Sequence, residues 1–265
     1  MKKSIIIRGS ISYDRHPENF LDKIIESIRS WFTEEIIIST WTNQQRYLTK
    51  YVQDNVNKIV YTDDPGEIDN HYLKHFKRQV ISYLNGFNES TGDIVMVTRS
   101  DILFKKDLFQ YVDFYPTSTD CLKVFQKKIL VPNMMTIRPD SNEFPNCFRV
   151  CDWYQLGYRS DIFAWANILD SAMSLDTSKL NHLCGTETIW FLSVLRNKFG
   201  DLVDIYNPSD ELKKYAWEAI INNFIVMDMR SSLSSENMNW TFLPEHGTCY
   251  FSEDLYKQLY ENIQS

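Results

Sequence analysis

The sequence lacks the features that would mark a membrane span, a nucleic-acid surface or a disulfide scaffold. No stretch approaches the roughly 20 consecutive apolar residues a transmembrane helix needs. The opening MKKSIII carries the charge of a secretion signal, but its apolar run ends at Arg8-Gly9, too early for one. Positive charge is in deficit: 28 Lys and Arg stand against 35 Asp and Glu, for a net −7. That balance argues against a nucleic-acid partner, because phosphate backbones are bound by clustered Lys and Arg. Cysteine is sparse, at 121, 147, 151, 184 and 249, an odd number with no CxxC pair. Cys147 and Cys151 lie four apart, yet no nearby His or Cys completes a tetrahedral zinc set. These read as reduced thiols of a cytoplasmic protein. GxGxxG, GxxxxGK[ST] and GxSxG are absent too, so neither a Rossmann dinucleotide site, a P-loop nor a hydrolase elbow is signalled. There is no internal repeat and no low-complexity linker.

What is present belongs to a globular α/β protein. The chain of 265 residues is 43% hydrophobic and 14% aromatic, enough for a substantial core. The first hundred residues alternate strand and helix. SIIIR (4–8) predicts a buried strand, followed by a turn at Gly9-Ser10, and 17–31 predicts a helix with Phe20, Leu21, Ile24, Ile25 and Ile28 on one stripe. EIIISTW (35–41) and KIVY (58–61) predict further strands, DDPG (63–66) a turn, and 72–84 a helix. Later strands are expected at 121–125 and 148–152, and helices at 161–169 and 187–198, the last ended by Gly200. This alternation implies a parallel sheet with crossover helices, which binds ligands at the carboxyl ends of its strands.

IVMVTRSDILF (94–104) raises a sharper question, since an arginine and an aspartate interrupt an apolar run. Either the strand ends there and its polar tip lines a site, or the pair is an ordinary salt bridge at a strand edge. Gly9-Ser10, Thr40-Trp41 and Asp63-Asp64 fall at neighbouring strand ends, so several polar tips converge on one edge. Two basic clusters, 74–78 and 127–128, read either as solvated faces or as contacts for a phosphorylated molecule or an anionic membrane surface.

Taken in order, IIIRG, EIIISTW, DDPG, the Arg78-Gln79 pair, TRSD and DWYQLGYRSDIFAW resemble the WavE lipopolysaccharide-synthesis family over most of the chain up to residue 170. Proteins of that family look like glycosyltransferases of the GT-A fold. The resemblance implies a nucleotide-diphospho-sugar transferase fold, a mostly parallel central sheet flanked by helices. It would form one domain over 1–265, with a nucleotide-donor half (1–110) and an acceptor and catalytic half (111–265). The implied reaction is inverting transfer of a sugar from a nucleotide-sugar donor to a glycan or lipid-linked glycan acceptor in lipopolysaccharide or capsule synthesis. Two alternatives share the scaffold: a transferase of CMP-linked sugar acids or polyol phosphates, and a degenerate protein that binds nucleotide or glycan without turnover. The implied location is cytoplasmic, with peripheral contact at the inner face of the cytoplasmic membrane.

The resemblance also distributes roles. GT-A enzymes use Mn²⁺ or Mg²⁺ to neutralise the diphosphate leaving group, and hold it with a DXD motif at a strand end. Here Asp101 matches the motif's last acid while Arg99 replaces its first. Arg99 cannot ligate a metal but suits phosphate. His246 is the second expected metal ligand. Glu187 is the expected general base, although a glutamate in a first helical turn is also favoured by the dipole alone. Asp152 is the rival base, or else begins a turn. Arg8, Gly9, Thr40, Asp64, Arg78, Arg99 and Asp101 are expected around the donor, with Gly157 in a loop over it. Trp153 and Tyr154 are expected as an acceptor platform, or otherwise as core.

Overall fold

The computed structural model describes residues 1–12, 18–70, 73–113, 121–133, 136, 148–179, 185–206, 209–228, 232–233 and 253–264. In chain order the elements are β1 (Lys3–Arg8), α1 (Phe20–Arg29), β2 (Glu35–Trp41), α2 (Lys50–Asn55), β3 (Lys58–Thr62), α3 (Phe76–Glu89) and β4 (Ile94–Arg99). Then follow β5 (Ile129–Pro132), β6 (Tyr154–Tyr158), α4 (Arg159–Ala166), α5 (Leu169–Met173), α6 (Thr186–Phe199), α7 (Asp210–Lys214), α8 (Ala216–Asn223), β7 (Phe224–Met227) and α9 (Glu253–Gln264). The strands form one seven-stranded sheet in the order β3-β2-β1-β4-β6-β5-β7. Only β6 runs against the others, so the sheet is mostly parallel, as the alternation of strands and helices implied.

Strand alternation divides the apolar residues between two faces. Ile5, Ile7, Ile36, Ile38 and Met96 join the buried stripe of α1 on one side. Ile6, Ile37, Val95 and Val97 meet Phe76, Val80 and Tyr83 of α3 and the aromatic interior of α4 and α6 on the other. There Trp165 and Trp190 stack at 5.8 Å, and the Trp190 indole N–H donates to the Trp165 carbonyl at 2.8 Å. Near-continuous apolar strands are what burial on both faces demands.

Several elements depart from the sequence expectation. The helix expected at 72–84 begins later and runs to Glu89, because Leu73 is drawn into a turn by the Asn70 side chain, while Phe87 is still buried against the core. No strand forms at 121–125. There the N–H groups of Val124 and Phe125 donate to the Asn223 side chain and those of Gln126 and Lys127 to Asp161, so side chains take the bonds a ladder would need. Nor does 148–152 form a strand. Cys151 N–H donates to Thr136 Oγ1 and its carbonyl accepts from Gln155, and the ladder with β4 begins only at Tyr154. The helix expected at 161–169 breaks at Asn167 into α4 and α5. β5 and β7 were not anticipated: each is a four-residue apolar run, one ending in Pro132 and one following directly on α8. Gly200 does end α6, at φ 62°.

The basic clusters do not form open patches. Lys74 lies 3.1 Å from Glu67 and Arg78 pairs with Asp64, while Lys127 lies 3.7 Å from Asp113 and Lys128 is buried. Among the described residues no helix is long and apolar enough to cross a membrane. Cys121 and Cys151 are free thiols, and the other three cysteines lie outside the described residues.

Two predictions follow from this packing. A Cβ on Gly86 would lie 2.4 Å from Ile6 Cγ2 and 3.0 Å from Ser39 Cβ, so α3 rests on the sheet through its glycine. Gly86→Ala gains about 1 kcal/mol of helix propensity, but overpacking costs about 1–3 kcal/mol. A net loss of stability in urea unfolding is expected, and a net gain would refute the close approach. Lys128 Nζ lies over the Tyr260 ring at 4.3 Å and 3.3 Å from the Tyr256 hydroxyl, and burial pushes its pKa down from 10.5 to about 7. Between those values the unfolded chain holds the extra proton, so this group destabilises the fold below pH 7 and the penalty fades as pH rises toward 10. Lys128→Met should therefore stabilise the protein more at pH 6 than at pH 9. An equal offset at both pH values would contradict the shift.

Candidate functional site

β1, β2 and β4 deliver their carboxyl ends to one edge of the sheet. Parallel register sets Arg8 of β1 directly beside Arg99 of β4. Beyond Arg8 the chain turns through Gly9 at φ 106°, a conformation that favours glycine, and the Gly9 N–H donates to the Ser39 carbonyl of β2 at 3.0 Å. A cavity of about 510 Å³ opens on this edge. Arg8, Gly9, Arg99, Ser100 and Asp101 line it from β1 and β4, Trp41 and Gln44 from β2 and the turn after it, and Asp64, His75, Arg78, Gln79 and Ser82 from the α3 side.

Each arginine is tied to a carboxylate. Arg99 donates from Nε to Asp101 Oδ1 at 2.9 Å and from a second nitrogen to Asp101 Oδ2, a bidentate fork. Its guanidinium lies 5.5 Å over the Trp153 ring. Burial opposes the Arg99 charge, but the pull of Asp101 and its hydrogen bonds wins, and the pKa is raised. Arg78 makes the same fork to Asp64, both contacts at 2.6 Å, and a further bond to Glu67 at 2.8 Å. That hydrogen bonding holds the Asp64 carboxyl below its ordinary range. Arg8 is the buried member, 3% exposed. It donates to the Asp152 carbonyl at 3.0 Å and to the carboxylate at 3.3 Å, and stacks 5.7 Å from Tyr83 and 5.9 Å from Trp190. Its Nε has no partner among the described residues. Burial lowers its pKa, Asp152 opposes this, and Arg99 adds to the lowering.

The sequence-named residues divide accordingly. Arg8, Gly9, Asp64, Arg78, Arg99 and Asp101 are brought together around the cavity. Thr40 stands behind it, buried, donating to Gln44 Oε1 at 3.0 Å. Asp152 is buried behind Arg8 as its counter-ion and does not line the cavity. Glu187 opens α6 and pairs with Arg149 at 3.3 Å, also outside the cavity lining. His246 lies outside the described residues. Two expectations are corrected. Gly157 is not in a loop but inside β6, opposite Val95, where a Cβ would meet Ile129 and Ile162 at 3.4–3.5 Å. Tyr154 is fully buried in β6, its hydroxyl 3.3 Å from Ser232, and Trp153 is 5% exposed, so neither ring offers an open face to an acceptor. Both fill the core because the strand starts at Tyr154 rather than ending at Asp152.

The donor set does not fit a divalent cation at Asp101. Mg²⁺ and Mn²⁺ seek several oxygen ligands, whereas both Asp101 oxygens accept from Arg99 and both Asp64 oxygens from Arg78. Among the described residues no three His, Cys, Asp or Glu side chains gather as a metal site would require.

Sequence reasoning missed Gln44, which organises the edge. Its Oε1 accepts from the Ile11 N–H at 2.7 Å and its Nε2 donates to Ser10 Oγ at 2.7 Å, fixing the turn after β1 to the one after β2. Gln79 was read only as part of a motif, yet it lines the cavity, and its buried Oε1 has no partner among the described residues. A polar residue three positions beyond the end of β2 was the available signal for Gln44. For Gln79 it was the residue following Arg78 on α3.

A family model described as WavE lipopolysaccharide synthesis matches residues 3–228. No curated protein matches the chain. Among solved structures, HddC from Yersinia pseudotuberculosis is similar at 12% identity and a TM-score of 0.36, over 61% of this chain and 79% of that one. S. aureus TarS is similar at 10% identity and a TM-score of 0.44, over 99% of this chain and 43% of that one. The glycosyltransferase GlyE of Streptococcus pneumoniae TIGR4 is similar at 11% identity and a TM-score of 0.43, over 100% of this chain and 62% of that one.

The two kinds of ion pair should respond differently to mutation. Asp152→Ala strands the buried Arg8 charge and should cost about 3–5 kcal/mol. Arg78→Ala breaks a pair whose side chains are 25% and 29% exposed and should cost below about 1 kcal/mol. Urea unfolding of the two variants tests this. Equal losses would contradict the burial difference.

Proposed function

The chain belongs to the WavE lipopolysaccharide synthesis family, and we propose that it is a glycosyltransferase that takes its sugar from a nucleotide-sugar donor. The acceptor in this reading is a glycan or lipid-linked glycan intermediate of lipopolysaccharide or capsular polysaccharide. The observation that carries it is the cavity at the carboxyl ends of β1, β2 and β4, lined by three arginines. Open parallel sheets place ligands at that edge. Guanidinium groups are the protein's best match for the oxygens of a diphosphate. Gln44, Ser10 and Gln79 add polar side chains of the kind that orient a base and ribose.

Transfer to a hydroxyl needs a base, and inversion needs it on the face opposite the leaving group. Of the two carboxylates assigned that role, Asp152 is buried and spent on Arg8. Glu187 keeps 16% of its side chain exposed at the start of α6, so the base assignment rests on Glu187. Arg149, 3.3 Å away, would orient the carboxylate that accepts the acceptor's proton. The diphosphate would leave toward Arg99 and Arg8.

The test is transfer of labelled sugar from uridine, guanosine and cytidine donor conjugates to lipopolysaccharide intermediates. One conjugate should support transfer, and a cytidine conjugate doing so alone would move the reading to sugar acids or polyol phosphates. Glu187→Gln should lower kcat about 10²–10⁴-fold with donor affinity held within about twofold, the range lost with a general base. Donor binding with no transfer to any acceptor and no donor hydrolysis would leave a binding protein instead of an enzyme.

A further inference from the structure

We infer that Arg8 and Arg99 grip the donor diphosphate directly, with no divalent cation between the phosphates and Asp101. This deepens the reading of the cavity as a nucleotide-sugar site and rests on it.

Parallel register seats the two arginines side by side at adjacent strand ends, and both line the same cavity. Like charges so placed repel, and each has been given a single carboxylate: Asp101 for Arg99 and Asp152 for Arg8. Hydrogen-bonding capacity remains after those pairs form. The Arg8 Nε is buried and has no acceptor among the described residues. Arg99 spends Nε and one terminal nitrogen on Asp101, and its other terminal nitrogen has no hydrogen-bond partner among the described residues. A buried donor left unpaired is costly and marks a place where a ligand can complete the bonding. Two adjacent guanidiniums with donors to spare suit two linked phosphates.

The same geometry works against a cation. Asp101 is the one acid that the motif keeps, and both its oxygens already receive Arg99. A metal at Asp101 would compete with that fork and sit against a fixed positive charge, beside a second one at Arg8. Asp101 is then a positioning residue: it sets the plane of Arg99, and the arginine does what a metal would otherwise do.

Calorimetric titration of the full chain with uridine, guanosine, cytidine and adenosine diphosphates, in excess EDTA and again in Mn²⁺, decides the matter. At least one diphosphate should bind in EDTA with a Kd within threefold of its value in Mn²⁺. Arg99→Gln should weaken it about tenfold or more under both conditions, the size of a lost charge-assisted bond. Asp101→Asn should weaken it less than Arg99→Gln, and equally with and without metal. The wild-type comparison needs no variant to fold. Binding that appears only with Mn²⁺ and vanishes in Asp101→Asn overturns the inference and leaves the nucleotide-sugar reading standing. No binding of any diphosphate under either condition overturns both.

Discussion

Two arginines held next to each other at the ends of β1 and β4 are the constraint from which the rest of this edge is organised. A guanidinium at a buried strand end is tolerated only when a carboxylate accompanies it. That requirement accounts for the approach of the 151–153 segment, where Asp152 must reach Arg8 with both its carboxylate and its carbonyl. It accounts as well for the TRSD wording after β4. The strand runs through Arg99, one residue turns, and Asp101 folds back to clamp the arginine before it. The Ser100 hydroxyl between them donates to the Ser10 carbonyl at 2.5 Å, so the β4 tip and the turn after β1 are joined at the same place.

The sheet supplies rigidity that a loop site would lack. β1 is flanked by β2 and β4, and α3 lies against β1 and β2 through Gly86 with its apolar face buried. Arg78 sits on that helix, so the placement of its guanidinium follows from the packing of Val80, Tyr83 and Phe87. Tyr83 reaches across to stack near Arg8, which links the helix to the strand end directly. Three arginines thus arrive at one cavity from three elements, each fixed by apolar contacts away from the cavity.

The parts of the fold legible in the sequence are those where one rule acts alone. EIIISTW is read as a strand because β-branched residues buried on both faces admit little else, and its limits were found to the residue. The stripe of α1 is equally plain. The sequence failed where side chains rather than the ladder satisfy the backbone. The 121–125 run is apolar enough for a strand, but Asn223, about a hundred residues away, takes its N–H groups. No local pattern contains that. The site shows the same division. Arg99 and Asp101 stood out because they break an apolar run, whereas Trp153 and Tyr154, which look like a stacking platform beside Asp152, are core. Their burial depends on where β6 begins, and that is set by pairing with β4.

The polar residues at the strand ends are hard to explain as stabilisers. A buried Arg–Asp pair seldom outperforms apolar residues of the same volume, because desolvation consumes most of the attraction. Arg8 makes the imbalance worse, since it leaves one donor unpaired and faces a second cation in register. Hydrophobic residues at positions 8 and 152 would fill the same buried space at lower cost. Two of the buried polar atoms that lack a hydrogen-bond partner among the described residues, Arg8 Nε and Gln79 Oε1, belong to side chains that line this one cavity. An anion bound between Arg8 and Arg99 would relieve their repulsion and use the spare donors. On the proposed reading, the cost of that arrangement would become part of the affinity for a diphosphate.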